Sequence, residues 1–546
     1  MTERLYRLAD STAAEPLINR WYATAFRISP VTASLMLPSQ LEVLRAYLAG
    51  PQASFDAAHN PAFAGAAFVD VPPQHAGQVR ELLERSEREL ADQILLGRTI
   101  LEYSKALVDQ AKGQSLEPFY SLLPAALRGR VELVYDYQGR PSVRLLEGMF
   151  YRSGYAKRAL QSFCLSRIER DGARPFVIST PRVRLPDRFE WDVPFDDPRV
   201  NALFQLDVKP APLERVRELL GGKEDAQLLP LLSAGPVEPR PRWNEPRVRV
   251  RYFGHACVLF EWNGISILTD PNIATRPTSG GVDRLSYGDL PETIDFALVT
   301  HLHHDHYVSE TLLRLRHRIG CLVVPRASGM LAGDISLQLA SKAIGFKNVV
   351  ELGELDSISL PGDAEIIAAP FLGEHGDLAH AKSAYVVRFG TEQILIAADS
   401  ACLDETLYDH LRSALGPIQT VFLGTECVGA PLSWLIEWLF PHKPERSQEL
   451  GRRHHGADAA GAMNLLRRVG AKRVYHYAMG QEPWLTHLGL GLSDESPQMR
   501  EGDLMLAQAR RAGFEVAQRL FGRAEFLLGE VAAARTSLEN DQFSFD

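Results

Sequence analysis

Cysteine is scarce in this chain and follows no disulfide or metal-binding pattern. Only five cysteines occur among 546 residues, an odd number without the CxxC spacing of thiolate metal sites. This argues against a disulfide framework and against a zinc ion held by cysteines. Long apolar runs are also missing, because none reaches the roughly 18–20 residues that a membrane helix needs. We therefore expect no membrane partner.

The chain also lacks an excess of positive charge. It has 59 Lys and Arg residues against 68 Asp and Glu residues, a net charge of −9. Such a chain is poorly suited to follow a phosphate backbone, so nucleic acid is disfavoured as a partner. The first seven residues do not combine a basic segment with an apolar one, and no signal peptide is predicted. The expected location is the cytoplasm.

Histidine is almost absent from the first part of the chain. Only His59 and His75, two of the 16 histidines, precede residue 240. The other 14 follow it. Any metal or acid–base chemistry is therefore expected in the second part.

Four prolines lie between Pro236 and Pro246. Proline fixes the backbone angle φ and donates no backbone hydrogen bond, so this segment cannot be a helix or a central strand. It is typical of a linker between domains. We predict an N-terminal domain over residues 1–240, a catalytic domain over residues 241–530 and a flexible tail over residues 531–546.

The two predicted domains differ in pattern. Apolar residues at helical spacing over residues 74–112 predict one or two amphipathic helices, and residues 130–136 and 142–146 predict a β-hairpin. The first domain is therefore α+β, and without a catalytic motif it is predicted to serve as a scaffold, carrier-docking or dimerisation unit. After residue 247, short apolar strands alternate with helices, which indicates an α/β domain with buried sheets.

The segment Thr300–His306 carries the strongest signal, with four imidazoles and one carboxylate in six residues. It directly follows an apolar strand, and loops at strand ends are where α/β proteins place their chemistry. Alternate residues of an extended chain point the same way, so His301 and His303 can face one metal. Asp305 and His306, beyond a bend, can face another. The alternative is a solvated polar turn, which leaves so dense a cluster unexplained.

This HxHxDH spacing resembles the signature of the metallo-β-lactamase-fold superfamily. Further landmarks of the superfamily follow its order along residues 247–500, at Gly254–Cys257, Leu268–Pro271, Asp399 and His476. The resemblance implies a four-layer αββα sandwich that holds one or two metals, preceded here by the α+β domain.

One landmark is changed. Hydrolases of the superfamily complete the first metal site with a histidine that usually follows a glycine, whereas Glu374 follows Gly373 here. The resemblance then implies seven metal ligands, namely His301, His303 and Glu374 for one metal, Asp305, His306 and His476 for the other, and Asp399 as the bridge. Two imidazoles and one carboxylate per metal are typical of iron oxygenases. If His375 ligates instead, the protein is a zinc hydrolase.

The departure resembles a narrower family, the di-iron amino-acid β-hydroxylase of chloramphenicol biosynthesis and its relatives. The segments that carry this resemblance are Gly373–Leu378, Ala397–Ser400, Gly424–Cys427 and Pro431–Trp434. It implies an oxygen-bridged pair of iron ions and hydroxylation by O2 at Cβ of an amino acid. The substrate would be held as a thioester on the peptidyl-carrier domain of a nonribosomal peptide synthetase. A separate reductase is also implied, since no flavin, haem or iron–sulfur motif is present.

Two rivals belong to other classes. A flavodi-iron reductase would have glutamate where His303 stands, and it would need a flavodoxin module that 70 residues after His476 cannot form. A metal-free binding protein is disfavoured by the complete ligand set. The N-terminal domain is a candidate for homodimer formation, although no coiled-coil heptad supports it.

Several residues outside the ligand set have two interpretations. Glu426 is a candidate catalytic residue that binds a substrate amine or a ligand, or it is a surface or helix-capping glutamate. Asp270 is a candidate partner for a ligating histidine, or part of a simple Asp-Pro turn. His255 and His304 are interpreted as structural.

Two basic stretches are candidates for docking an acidic carrier helix. Residues 174–188 hold four arginines and one acid, and five more arginines lie between Arg240 and Arg251. Surface arginines paired with neighbouring acids, with no role in docking, are the alternative.

Overall fold

The computed structural model describes residues 4–63, 65–222, 225–238, 240–329, 333–373, 380–434, 436–440 and 443–528. Within these residues the strands form five sheets, two of which have seven strands. None of the helices in these ranges is long and apolar enough to cross a membrane.

The part of the chain before residue 240 is α+β. Its described strands are β1 (Leu5–Leu8), β2 (Thr12–Ile18), β3 (Trp21–Tyr22), β4 (Val131–Tyr135), β5 (Pro141–Leu145), β6 (Gln161–Arg167), β7 (Arg188–Trp191), β8 (Ala211–Pro212) and β9 (Leu232–Ala234). Its described α-helices are α1 (Ala25–Ile28), α2 (Pro30–Ala49), α3 (Pro51–Ala58), α4 (Ala76–Glu89), α5 (Ala91–Gln110), α6 (Glu147–Tyr151), α7 (Pro198–Phe204), α8 (Leu213–Leu219) and α9 (Asp225–Leu228). The predicted hairpin is the pair β4–β5, and the predicted helical segment forms α4 and α5.

The part after residue 240 carries the two large sheets. Its described strands are β10 (Arg249–Gly254), β11 (Cys257–Trp262), β12 (Ile265–Thr269), β13 (Ile294–Leu298), β14 (Ile319–Pro325), β15 (Val349–Leu352), β16 (Ser357–Leu360), β17 (Ala364–Ala369), β18 (Ala384–Phe389), β19 (Glu392–Ala398), β20 (Thr420–Leu423), β21 (Arg473–His476), β22 (Val516–Arg519) and β23 (Ala524–Leu527). Its described α-helices are α10 (Ser309–Leu315), α11 (Leu337–Ala343), α12 (Glu405–Leu415), α13 (Arg446–Gly451), α14 (Ala459–Val469) and α15 (Pro497–Arg511).

The two seven-stranded sheets pack face to face. Their orders are β15-β14-β13-β12-β11-β10-β23 and β16-β17-β18-β19-β20-β21-β22. Inward side chains such as Phe260 and Phe422 form a shared core, and alternate residues such as Val421 face outward. Strands β12–β15 are parallel, as are β19–β22, so the carboxyl ends of neighbouring strands meet at one edge of each sheet.

Helices cover both outer faces. Helices α12, α14 and α15 pack on the second sheet, and α10 and α11 pack on the first together with residues from the N-terminal part. This arrangement confirms the predicted αββα sandwich preceded by an α+β region. Every sheet in the described ranges takes its strands from one side of residue 240, but the core around the first sheet includes residues from both sides. The boundary at 240 remains a prediction, and the tail at 531–546 lies outside the described residues.

The N-terminal part forms hydrogen bonds and an ion pair with helix α10, which follows the histidine-rich segment. Arg314 donates from Nε to Asp207 Oδ2 at 2.7 Å, and its Nη1 donates to the Thr12 carbonyl at 2.8 Å. Arg174 forms an ion pair with Glu310 on the same helix. These buried contacts fix α10, and with it the end of the segment that the sequence marks for metal binding.

Part of each arginine stretch is directed into the molecule and does not belong to an open docking surface. Arg174 and Arg182 are largely buried, and both bind the carboxylate of Glu15. In the second stretch, Arg249 and Arg251 share Glu261. Buried guanidinium groups need acidic partners, and these arginines find them inside the molecule. The paired-charge alternative describes these four arginines, whereas Arg184, Arg240, Arg242 and Arg247 are exposed, so docking at them remains a prediction.

Candidate metal centre

Asp270 organises the start of the histidine-rich segment. It directly follows β12, and its Oδ1 accepts a hydrogen bond from the Thr300 backbone amide at 2.7 Å. Its Oδ2 accepts from the Thr300 hydroxyl at 2.8 Å and lies 2.9 Å from His306 Nδ1. Because an ionised carboxylate only accepts, Nδ1 of His306 carries the hydrogen, and Nε2 is the ring atom that faces the cluster.

Three buried side chains converge from two loops. His306 Nε2 lies 3.0 Å from Asp399 Oδ2, and His301 Nε2 lies 3.7 Å from the same oxygen. His303 extends the group, with its Nδ1 3.2 Å from His301 Nε2. Asp399 comes from the loop after β19, where Ala398 has a left-handed φ of 46°. The atoms of His301, His306 and Asp399 lie close enough to share one metal ion.

A second group overlaps the first. Asp305 Oδ2 lies 3.8 Å from His306 Nε2 and 3.1 Å from His255 Nε2. The ligand atoms of His255, Asp305 and His306 are close enough to hold a metal ion. The structure therefore brings together five of the seven predicted ligands, His301, His303, Asp305, His306 and Asp399, and adds His255.

Buried atoms without partners show that this group fits a metal. Among the described residues, His306 Nε2, Asp399 Oδ1 and both ring nitrogens of His255 are buried and make no hydrogen bond. An unsatisfied buried polar atom is costly, so several of them in one place indicate a bound ion. Burial also lowers the pKa of His303 to about 4, which keeps its imidazole in the neutral form that binds metals.

A cavity of about 280 Å³ adjoins the cluster. His303, Asp305 and Asp399 line one side, and Glu426 lines it with Gln498. The apolar part of the wall comes from Trp434, Met479, Leu488, Leu490 and Leu492. The cavity can therefore hold a small organic group against the metal ligands.

Glu426 is held firmly at this cavity. Its Oε1 accepts hydrogen bonds from the Gly429 backbone amide at 2.8 Å and from Gln498 Nε2 at 3.0 Å. Burial raises the pKa of the Glu426 carboxyl, with Asp399 adding in the same direction. A cationic group in the cavity would find a partly desolvated carboxylate here. The surface interpretation does not describe this largely buried side chain, whereas its bond to the Gly429 amide, three residues later, is of the capping type, and its role in substrate binding remains a prediction.

Of the two remaining predicted ligands, one lies away from the cluster and the other lies outside the described residues. His476 ends β21, but its Nε2 lies 2.8 Å from the Thr425 hydroxyl, and its ring packs against Gly502. Alternation along the strand explains this, because Tyr475 faces the inner core and the next residue faces the outer helices. Glu374 and the competing His375 lie outside the described residues, so their roles remain predictions.

Sequence reasoning missed two residues of this site. His255 was interpreted as structural, yet it meets Asp305, and Gln498 on α15 supports Glu426. The Gly-His-Ala-Cys landmark did mark the turn that carries His255. Nothing in the local sequence marks Gln498, since it is distant in the chain from every motif. His304 points away from the cluster, with Nε2 2.7 Å from the Leu488 carbonyl.

Comparisons with known proteins agree along nearly the whole chain. Residues 7–236 match the family described as the diiron non-heme beta-hydroxylase N-terminal domain, and residues 249–343 match the beta-lactamase superfamily domain. The 4-amino-L-phenylalanyl-[CmlP-peptidyl-carrier-protein] 3-hydroxylase of Streptomyces venezuelae is 31% identical over 525 residues, which cover 93% of this chain and 97% of that relative. The crystal structure of CmlA, a diiron beta-hydroxylase from Streptomyces venezuelae, matches with a TM-score of 0.89 and 29% identity over 96% of this chain and 100% of that one.

Proposed function

The chain belongs to the diiron non-heme β-hydroxylase family, and from that premise we propose that it hydroxylates Cβ of an amino acid held as a thioester on a peptidyl-carrier domain. The carrier would be part of a nonribosomal peptide synthetase that assembles an antibiotic or a related product. Membership of this family confirms the resemblance inferred from the sequence. It also favours an oxygenase over the zinc hydrolase alternative.

The observation that carries the proposal is the mixed imidazole and carboxylate cluster beside a cavity. Two iron ions would share Asp399, with His301 and His303 on one side and Asp305 and His306 on the other. Glu374 is the predicted further ligand of the first iron. Such a site has the mixed nitrogen and oxygen ligands that suit iron in oxygenases.

Iron bound by these residues would supply the chemistry that activates O2, and the other side chains of the site would position the substrate. Asp270 holds His306 in one orientation. Glu426 offers a carboxylate to the free α-ammonium group of the aminoacyl thioester, which would fix Cβ relative to the cluster. Trp434 and the leucines of the cavity wall enclose the amino-acid side chain and exclude water.

The reaction requires partners. One C–H bond and O2 give a C–OH group and water only when two electrons and two protons are added. We assign the electrons to an external reductase, because the sequence has no motif for a second redox cofactor. The carrier domain delivers the substrate. A homodimer through the N-terminal part and a cytoplasmic location belong to the same proposal.

The test compares delivered and free substrates. The iron-loaded protein is supplied with a chemical reductant and ¹⁸O2, and then with candidate amino acids either free or loaded on a carrier domain. We expect one labelled oxygen at Cβ of the loaded amino acid and little reaction of the free one. A carrier loaded with an amino acid that has no Cβ hydrogen is the matched control.

Two outcomes would contradict the proposal. If the free amino acid is turned over as fast as the carrier-bound one, the carrier domain is not needed to deliver the substrate. Release of the amino acid from its carrier without incorporation of labelled oxygen would indicate the zinc hydrolase instead.

A further inference from the structure

A second cavity, which we call the α11 cavity, lies between the N-terminal part and helix α11, with Arg27, Glu147 and Leu339 in its wall. Its volume is about 1020 Å³. Small-molecule sites typically have roughly 300–1,000 Å³ and often lie between two parts of a chain. Among the described residues, this cavity shares no lining residue with the cavity beside the metal cluster. The proposed hydroxylation therefore leaves it without a role.

Much of the wall of the α11 cavity is apolar. Trp21, Ile28, Leu37 and Leu90 line it from the N-terminal part, and Leu339 lines it from α11. Burial of apolar surface against such side chains is favourable. The wall therefore suits a ligand with an apolar body.

Arg27 is a buried cation in the same wall, with only 4% of its surface exposed. Its Nη1 donates to the carbonyls of Tyr22 at 2.9 Å and Val177 at 3.1 Å, and its Nη2 donates to the Ile178 carbonyl at 2.8 Å. Within the described ranges, its Nε is buried without a hydrogen bond. Burial lowers the pKa of Arg27 to about 9, and the charge of Arg182 acts in the same direction. The guanidinium thus has neutral carbonyls around it and no carboxylate among the described residues.

Two other buried arginines show what Arg27 lacks. Arg182 donates from Nε and Nη2 to the two carboxylate oxygens of Glu15, at 2.6 and 2.8 Å. Arg314 binds Asp207 through the same two nitrogens, at 2.7 and 3.1 Å. A buried charge without a partner of opposite sign is costly. The position of Arg27 in a cavity wall therefore indicates that its anion comes from a ligand.

The lining of the α11 cavity has twice as many bases as acids, six against three. Three of the bases form ion pairs, namely Arg144 with Glu132, Lys157 with Asp92 and Arg158 with Asp196. Arg152 and Lys342 are exposed and form no ion pair in the part of the chain that the structure describes. An excess of one charge along a cavity attracts ligands of the opposite charge.

Two of the three acids are bound within the wall. Glu351 accepts from the Ser336 hydroxyl at 3.1 Å. Glu147 accepts from the Ser29 hydroxyl at Oε1 and from the Ser336 amide at Oε2, both at 2.9 Å. Burial raises the pKa of Glu147 to about 7, so its negative charge is only partly present at neutral pH. These acids therefore do not cancel the positive charge of the cavity.

We propose that the α11 cavity binds an amphipathic organic anion, a carboxylate or phosphate on an apolar body. The anionic group pairs with Arg27, and the body lies against Trp21, Leu37 and Leu339. Arg152 and Lys342 attract the anion to the cavity. This site is separate from the metal centre, so it does not depend on bound iron or on the proposed hydroxylation.

Calorimetric titration with three probes that share a ten-carbon chain tests the proposal. The purified protein is titrated with decanoate, decyl phosphate and decyltrimethylammonium, each below the concentration at which it forms micelles. We expect one decanoate or one decyl phosphate per chain and at least about 10-fold weaker binding of the cation. The tighter of the two anions identifies the preferred charged group.

Variants locate the bound anion. Arg27→Gln keeps a donor for the surrounding carbonyls but removes the charge, so it should weaken decanoate binding roughly 10- to 100-fold. Lys342→Glu should weaken it several-fold. Lys347→Glu reverses an exposed charge that does not line the cavity, and it should have no effect. Asp399→Ala should bind decanoate as the wild type does, because the metal cluster lies outside this cavity.

Several outcomes would overturn the proposal. Equal affinity for the cation and the anions would show that charge does not select the ligand, and loss of binding in Asp399→Ala would place decanoate at the metal cluster. If Arg27→Gln does not fold, Leu339→Glu replaces it, because a carboxylate in the apolar wall should repel the anion. Unchanged affinity in the folded variant would refute the site. An affinity that falls as the protein is concentrated would show that a second copy of the chain covers the cavity instead.

Discussion

Asp399→Ala should eliminate hydroxylation of the carrier-bound amino acid. The variant removes the carboxylate that both proposed irons would share. Asp399 Oδ2 lies 3.7 Å from His301 Nε2 and 3.0 Å from His306 Nε2. Loss of an outer partner of a metal ligand typically costs 10–100-fold, so loss of a shared ligand should cost more than about 100-fold in kcat/KM. Iron per chain should fall from two to one or fewer. Iron analysis and turnover of the loaded carrier measure the two effects.

Asp404→Ala is the matched control. Asp404 lies five residues further along the same segment, is exposed, and caps helix α12 by accepting from the Thr406 amide at 2.9 Å. Its loss should lower the free energy of unfolding by about 1 kcal/mol and leave the iron content unchanged. An Asp399→Ala variant that keeps two irons and normal turnover would remove Asp399 from the cluster.

Glu426→Gln should weaken use of the substrate without loss of iron. The substitution keeps the shape of the side chain but removes the charge that we assign to the substrate ammonium group. A hydrogen bond between charged groups contributes about 1.5–3 kcal/mol, so KM for the loaded carrier should rise roughly 10- to 100-fold. Steady-state kinetics give the change in KM, and iron analysis shows whether the cluster is intact.

An exposed glutamate nearby provides the comparison. Glu437→Gln, on the segment after Trp434, removes the same charge outside the cavity and should leave KM unchanged. Equal effects of the two substitutions would point to general electrostatic attraction of the carrier. No effect of Glu426→Gln would leave the carboxylate without a role in substrate binding.

The pH dependence of Glu426 has a definite sign. Burial raises the pKa of this carboxyl, so the folded protein binds its proton more tightly than the unfolded chain does. Its contribution to the free energy of unfolding is fully present below the unfolded pKa and is lost as pH rises through the folded one. Turnover should behave oppositely and increase with pH across that range, because only the ionised form pairs with an ammonium group. Glu426→Gln should lack this rise.

The sequence was most informative where chemistry is dense and local. The position of segment 300–306 after β13 could be predicted, because an apolar strand in the sequence is followed directly by the six histidine-rich residues 301–306. Asp399 was recognised because it follows a strand in the expected order, and the structure brings it to His306. The buried sheets follow from the alternation of strands and helices, and the two stacked layers of strands follow from the resemblance to the superfamily.

Contacts between segments that lie far apart in the chain could not be predicted from the sequence. His255 follows strand β10, and His476 is the last residue of β21. Only the direction of each side chain distinguishes His255, which lines the cavity, from His476, which packs behind the second sheet. Arg182 belonged to a basic stretch in the sequence, but its partner Glu15 lies 167 residues away. Pairings of this kind depend on tertiary packing, which local composition does not encode.

The central claim is that the cluster holds two irons, and the metal content of the aerobically purified protein with its optical spectrum tests this most directly. The account predicts two irons per chain and near-ultraviolet charge-transfer absorption from an oxygen-bridged ferric pair, both lost in Asp399→Ala. Two tightly bound zinc ions, with no hydroxylation gained after reconstitution with iron, would contradict it.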